Sequence, residues 1–367
     1  MGSLGQDIKK LGFGLMRLPM IGEDVDIEQT KKMVDLFLSK GFTYFDTAYG
    51  YLGGKSEMAI KTALVDRYPR ESYQLATKLP AWAGAKTAEE AQGMLATSLA
   101  RTGAGYFDFY LLHNLGDNRT EAFDRFGIWD FLRRKRDEGV IKHLGFSFHD
   151  KADVLDDLLT RNPDMEFVQL QINYADWESA SIQSRACYEV ARKHKKPIIV
   201  MEPVKGGGLA NPSDEVQKLL KGHNPDASCA SWAIRFAASH EGVMMVLSGM
   251  SNLEQLEDNM SYMKSFQPLS DAEMQIIGKA AEIIAASTAI PCTGCQYCVD
   301  DCPMQINIPR LFSIYNFVQQ FGTNNFPAMH YNRAVAGRGK PSDCIGCGMC
   351  ENHCPQHLPI RENLKLV

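Results

Sequence analysis

Short apolar runs and amphipathic stretches alternate along the first two thirds of the chain. LGFGLM (11–16), TYFDT (43–47), YQLATKL (73–79), FDFYLLH (107–113), HLGFSFH (143–149), FVQLQIN (167–173), PIIVMEP (197–203) and VMMVLSG (243–249) each predict a buried strand. Between them, apolar residues at helical spacing predict helices over 27–41, 87–103, 121–139, 184–195 and 228–240. Buried parallel strands alternating with covering helices make an α/β fold, and eight such units over roughly 250 residues have the size of a TIM (β/α)8 barrel. A doubly wound sheet is the competing architecture, but no GxGxxG follows the first strand. Two more helices are predicted, one over 269–287 leading out of the barrel and one over 308–322. The pattern divides the chain into a barrel over 1–268, a connecting helix within 269–290, and a small, mainly helical domain over 291–367.

Composition narrows the function classes. The 367 residues are 45% hydrophobic with a formal net charge of −5, which gives no electrostatic footprint for nucleic acid or an anionic membrane. No apolar run approaches the roughly 20 residues that span a bilayer, and MGSLGQDIKK does not read as a signal peptide. A cytoplasmic location is the expectation. Of ten cysteines, Cys187 and Cys229 stand alone on apolar helix faces and read as core, whereas eight lie between Cys292 and Cys354. A secreted disulfide protein spreads its cysteines, so the cluster points to a metal-binding tail.

In a barrel, side chains at the C-terminal strand ends converge on the active site. Asp46, Lys78 and His113 close the second, third and fourth strands, and Tyr51 follows Asp46 in its loop. Singly, each has an ordinary reading as a cap, a solvated amine or a satisfied structural histidine. Together, on three successive strands, they form a chemical set. A Lys–Asp pair beside a phenol favours phenolate, so the expectation is a Tyr51 pKa below the usual value of about 10. Such a phenol hands a proton to an alkoxide forming from a carbonyl, with a neutral His113 holding the carbonyl oxygen. No side chain supplies hydride, so a nicotinamide cofactor is implied.

FDTAYGYLGGKSE (45–57) resembles the aldo-keto reductase signature, in which Tyr follows Asp by five residues and Glu by eleven; Asp46, Tyr51 and Glu57 fit. ATKLP (76–80) and YLLHN (110–114) are similar to the family's Lys and His segments. Tyr49 is a neighbouring phenol at the wrong spacing. The resemblance, over about residues 11–264, implies a TIM barrel interconverting carbonyls and alcohols with NAD or NADP, with Asp46, Tyr51, Lys78 and His113 as catalytic tetrad and Tyr51 as acid/base. It also implies cofactor contacts. Ser147 and Gln169 stand where the family holds the carboxamide, although Phe148 replaces the Asn partner of the serine. Glu202, Pro203, Val204, Gly206 and Gly207 lie in the place of the pyrophosphate loop, and Met201 where many members stack an aromatic ring. Ser248, Gly249, Met250, Ser251, Gln255, Asp258 and Asn259 lie in the adenosine segment. Many NADP-using members clamp the 2′-phosphate with Lys and Arg, where this chain has Gly249 and Gln255, so NAD is a serious competitor.

The tail carries C-x2-C-x2-C-x3-C-P twice, ending at Pro303 and Pro355. This is the bacterial two-[4Fe–4S] spacing, in which the fourth cysteine ligates the other cluster. The expected sets are Cys292, Cys295, Cys298 and Cys354 for one cluster and Cys344, Cys347, Cys350 and Cys302 for its partner. Zinc ribbons also use C-x2-C pairs, but three cysteines in seven residues suit a cluster better. The long separation of the strings is similar to that of α-helical ferredoxins, and a barrel with such a tail resembles a subgroup of the aldo-keto reductases. Two functional readings follow. One is a reductase acting on a small-molecule carbonyl or alcohol, with Trp82 and Trp177 as candidate substrate walls. The other is an electron-transfer protein whose clusters serve a redox protein partner, the barrel being a platform. Hydride carries two electrons and a cubane usually one, so coupling needs a converter such as flavin, for which the sequence shows no second nucleotide motif.

Overall fold

The computed structural model describes residues 4, 8–179, 182–321 and 325–367. Eight parallel strands close into a barrel: β1 (Leu11–Gly14), β2 (Tyr44–Asp46), β3 (Gln74–Leu79), β4 (Phe107–Leu115), β5 (Ile141–Phe148), β6 (Phe167–Gln171), β7 (Ile198–Met201) and β8 (Val243–Gly249). Each strand pairs with its neighbours in sequence, and β8 returns to pair with β1, so no edge is left. A two-stranded hairpin, Met20–Ile21 with Asp24–Val25, lies outside the barrel.

Side chains alternate along every strand, and this alternation places the chemistry. Tyr44, Ala76, Phe109, Leu111, Phe167, Ile199, Met245 and Leu247 fill the barrel interior. Phe45, Leu75, Tyr110, Leu112, Val168 and Val246 point outward into the larger core beneath the helices. Two residues beyond the last interior side chain of β2, β3, β4 and β6 stand Asp46, Lys78, His113 and Gln169, on the inner face at the C-terminal rim. Gly145 on β5 lets β6 approach closely, since a Cβ there would sit 2.4 Å from the Phe167 carbonyl oxygen.

The helices expected over 27–41, 87–103, 184–195 and 228–240 appear as Ile27–Ser39, Ala88–Thr102, Ser184–Lys193 and Cys229–Ser239. The one expected over 121–139 is two helices, Asp117–Arg125 and Ile128–Asp137, broken at Gly127, whose φ of +62° ends the first. Helices Lys55–Ile60, Ala152–Arg161, Asp214–His223 and Leu253–Met263 complete the outer ring. Helix Asp271–Ser287 opens with a capping box between Ser270 and Glu273 and packs on Asp214–His223. The helix expected over 308–322 runs over Ile308–Phe321, and Gly322 lies outside the described residues. With Asn325–Val335 and short turns at Tyr297–Asp300, Met349–Asn352 and Ile360–Leu364, it forms a small helical tail around Ile306, Leu311, Phe312 and Ile360. Among the described residues, no helix is long and apolar enough to cross a membrane.

Candidate active site and cysteine tail

At the rim, the Lys78 ammonium is fully buried and donates to an Asp46 carboxylate oxygen and to the Thr47 carbonyl at 2.7 Å. The second Asp46 oxygen accepts from the Gln169 amide at 3.4 Å. Neither charge could be buried without the other. Lys78 also sits 5.0 Å from the centre of the Tyr51 ring, and Tyr51 lies edge-on to His113 at 6.0 Å between centroids. The structure therefore brings Asp46, Tyr51, Lys78 and His113 together.

The electrostatics differ from the expectation at one point. Burial, reinforced by the Asp46 charge, pushes the Tyr51 phenol well above its ordinary value instead of below it. The sequence displays the charged neighbours of Tyr51 but not its desolvation, and desolvation dominates. Tyr51 accordingly stands protonated. Burial also holds His113 well below the usual histidine range, helped by Lys78, so its imidazole is neutral. Among the described residues, its buried Nδ1 has no hydrogen-bond partner.

Glu57, third in the signature, is a framework residue: its buried carboxylate accepts from Thr77 Oγ1 at 2.8 Å and faces Arg101 at 3.3 Å. Tyr49 lies beneath Arg101, with the guanidinium 4.4 Å from its ring centre. Of the two tryptophans, Trp82 stands at the site, 6.2 Å from the His113 ring, and its indole N–H donates to the His113 carbonyl at 2.8 Å. Trp177 instead stacks on His240 at 4.2 Å, beside Phe236 in the outer packing.

From Asp46 and Tyr51 a cavity of about 360 Å³ runs along the C-terminal ends of β7, β8 and β1. Its walls include Gln169, Met201, Glu202, Pro203, Val204, Gly206, Gly207, Ser248, Gly249, Ser251, Gln255, Asp258 and Asn259. Two expected members are elsewhere. Met250 is fully buried in the outer core, and Ser147 Oγ accepts the Asn114 N–H at 2.7 Å without lining the cavity. Sequence reasoning missed Arg17, which lines the cavity from the turn after β1 and lies across Gly249, where an added Cβ would meet its side chain at 3.3 Å. A basic residue just past the end of β1 was the available signal. Gly206 N–H donates to Glu202 Oε2 at 2.7 Å, bending the glycine loop into the cavity wall.

In the tail, Cys302, Cys344, Cys347 and Cys350 line one cavity. Cys354 is among the neighbours that, with burial, push the Cys292, Cys295 and Cys298 thiols up, and Cys344 and Cys302 are among those that push up Cys350. Each string's fourth cysteine thus lies with the other string's first three. Among the described residues, no group of three or more His, Cys, Asp or Glu is arranged to hold a single metal ion. The four thiols lining that one cavity, Cys302, Cys344, Cys347 and Cys350, suit a multi-iron cluster's donor set. Cys187 and Cys229 are buried in the barrel's core.

The tail sits on the barrel mouth. Arg119, buried beneath it, donates to Asn114 O at 2.7 Å and to Asn352 O at 3.0 Å. Gln356 and Gln171 exchange amide hydrogen bonds at 2.9 and 3.3 Å. The ring of His353 packs 6.1 Å from that of Trp82. Gly206 touches the tail as well, since a Cβ there would lie 2.1 Å from the Thr293 carbonyl oxygen.

Comparison with known proteins agrees with this geometry. The aldo/keto reductase family model matches residues 10–282, and a 4Fe–4S dicluster domain model matches residues 291–358. A probable aldo-keto reductase of Glycine max is 31% identical over 155 residues, 40% of this chain and 43% of that protein, so the match spans less than half of the soybean protein's length. An uncharacterized oxidoreductase of Bacillus subtilis is 24% identical over 289 residues, 71% of this chain and 88% of that one. The solved aldo-keto reductase of Bacillus halodurans in its holo form has a TM-score of 0.60 at 23% identity, covering 76% of this chain and 95% of that chain. An aldo-keto reductase of Klebsiella pneumoniae solved with NADPH gives 0.58 at 20%, covering 74% and 90%. This chain belongs to the aldo/keto reductase family, as an oxidoreductase barrel that carries a C-terminal 4Fe–4S dicluster domain.

Proposed function

We propose that this protein interconverts a small-molecule carbonyl and its alcohol with NAD or NADP, and that its tail holds two [4Fe–4S] clusters. One observation carries the reading: a protonated, desolvated Tyr51 stands beside a buried Asp46–Lys78 pair and a neutral His113, where the cavity meets the barrel mouth. The nicotinamide, when bound, supplies hydride to the carbonyl carbon. Tyr51 gives its phenolic proton to the carbonyl oxygen in reduction and takes it back in oxidation. Lys78, held by Asp46, places positive charge 5.0 Å from the Tyr51 ring and stabilises the phenolate left behind. His113 is neutral and holds the oxygen by a ring N–H.

The cavity fits an extended dinucleotide. Gln169 is the carboxamide contact, and the loop of Pro203, Val204, Gly206 and Gly207, shaped by the Gly206 N–H bond to Glu202, lines the stretch where the pyrophosphate would run. Ser248, Gly249, Ser251, Gln255, Asp258 and Asn259 form the adenosine end. Ser147 acts at one remove, fixing the backbone beside His113 through Asn114, and Met250 supports the wall from behind. Arg17 adds the cation that Gly249 and Gln255 do not provide. The Klebsiella relative's complex with NADPH supports NADP, and the missing clamp supports NAD, so both belong in the assay. The two crossed cysteine sets are the cluster ligands. A cytoplasmic location suits oxygen-sensitive clusters.

Replacement of Tyr51 by Phe removes the proton donor while keeping the ring. The expected result, measured anaerobically with NADH and NADPH, is loss of carbonyl reduction with cofactor binding retained; full activity in Tyr51→Phe would refute the mechanism. A second reading, a redox protein partner at the second cluster, is favoured by exposed Cys347 between Ile345, 64% exposed, and Met349, 39% exposed. Stopped-flow mixing with a reduced ferredoxin separates the readings, since a pure reductase shows no cluster bleaching coupled to carbonyl turnover.

A further inference from the structure

Tyr297 stands between Cys295 and Cys298, in the first cysteine string, yet its ring reaches the barrel's site. Its centroid lies 6.3 Å from that of His113 and 6.2 Å from that of His149, edge-on to both. Tyr51 meets His113 at the same 77° between ring planes. The two phenols therefore flank the histidine expected to hold the carbonyl oxygen.

The tail's internal repeat shows that cluster binding does not demand a phenol here. Gly294 and Gln296 in the first string, and Gly346 and Gly348 in the second, take the same left-handed turns. Each pair is followed by one helical turn, beginning at Tyr297 and at Met349. Met349, the equivalent residue, faces the surface. The same fold of the string thus accepts a flexible aliphatic side chain where no barrel lies opposite, and the ring of Tyr297 answers to the barrel. The tail that carries it is joined to the barrel by Arg119 on Asn352 and by Gln171 on Gln356.

We propose that Tyr297 contacts the substrate, the tail supplying one wall of the pocket in which a planar, conjugated or aromatic carbonyl compound meets Tyr51 and His113. Trp82 supplies a second aromatic surface, 6.2 Å from the His113 ring. Two aromatic walls favour a flat π-system over a saturated chain of equal size. The proposal rests on the carbonyl chemistry assigned to Tyr51, and its test separates the two.

The experiment uses the anaerobic full-length protein with both clusters, checked by iron and sulfide content, with benzaldehyde and hexanal as probes. In steady-state assays, Tyr297→Ala is expected to raise KM for benzaldehyde about tenfold, the worth of one lost aromatic contact with its burial. Tyr297→Phe keeps the ring and is expected to stay within about threefold of the parent. The KM for hexanal moves less, and NADPH affinity, read by fluorescence titration, stays unchanged in both variants. Calorimetric titration of benzaldehyde into the NADP⁺-loaded protein gives the same comparison without turnover. Unaltered benzaldehyde affinity in Tyr297→Ala, or equal losses for both aldehydes, overturns the proposal, as does a parent protein that binds neither. Should the alanine variant lose iron, Tyr297→Leu carries the comparison, since Met349 shows that the string accepts an aliphatic side chain. A parent that binds benzaldehyde in a Tyr297-dependent way without reducing it refutes the carbonyl chemistry and leaves this contact standing.

Discussion

Lys78 is one of the largest fully buried side chains of the protein, and among the described residues its charged hydrogen-bond partner is Asp46. Lys78→Met should therefore strand a carboxylate in the barrel mouth, costing about 3–5 kcal/mol in denaturant unfolding. The pair Asp46→Leu with Lys78→Met should recover most of that stability and none of the activity, which distinguishes a folding role from a chemical one. His149 gives a pH signature. Burial, with Arg119 and His357 nearby, lowers its pKa to about 3. The unfolded imidazole takes up a proton near pH 6.5 and the folded one does not. Its share of stability is complete above that pH and declines as pH falls towards about 3, by up to ~1.4 kcal/mol per unit. Urea midpoints measured from pH 7.5 to 5 should fall less steeply for His149→Phe. The grouping of Asp46, Lys78 and His113 was legible because an ionisable group at the end of an apolar strand is costly to bury unless it is partnered, and Tyr51 was legible from its spacing to Asp46. The Tyr51 pKa was not, because desolvation depends on what folds over the phenol from elsewhere in the chain. Arg17 escaped for a related reason, since only closure of β1 against β8 carries it across Gly249.

At the level of elements, strands buried on both faces read as apolar runs, so all eight were visible with ends shifted by a few residues. Helices Ala152–Arg161, Asp214–His223 and Leu253–Met263 were not singled out, since short amphipathic stretches between strong strands carry a weaker signal. The break at Gly127 was hidden because the apolar spacing continues across it. Gly145 offers an element-scale test. A methyl group there meets the Phe167 backbone oxygen, not a side chain that could turn away. Gly145→Ala should force β5 from β6 and cost about 1–3 kcal/mol, seen as a lowered Tm.

At the scale of the molecule, the crossed cysteine strings were readable from spacing, whereas their seat on the barrel was not, because its contacts join residues far apart in sequence. Arg119 shows the difference: an ordinary helix residue in sequence, it spans Asn114 and Asn352 when folded. Removing its guanidinium leaves the carbonyl of buried Asn114 without this donor, at about 1–3 kcal/mol. Arg119→Met should raise amide hydrogen exchange across 291–302 and 350–358 while leaving exchange in the barrel strands unchanged. An unaltered pattern in the tail would show that the seat does not depend on this residue.

Gly206 carries a kinetic consequence. Its loop forms one wall of the cavity and is pressed against Thr293, so lifting residues 203–207 off the cavity also means parting the loop from the tail. Release of the dinucleotide proposed for this cavity is then slowed wherever it requires that parting. In a cycle limited by that release, the tail would set the clock, and the off-rate of NADPH would report how often the two backbones separate.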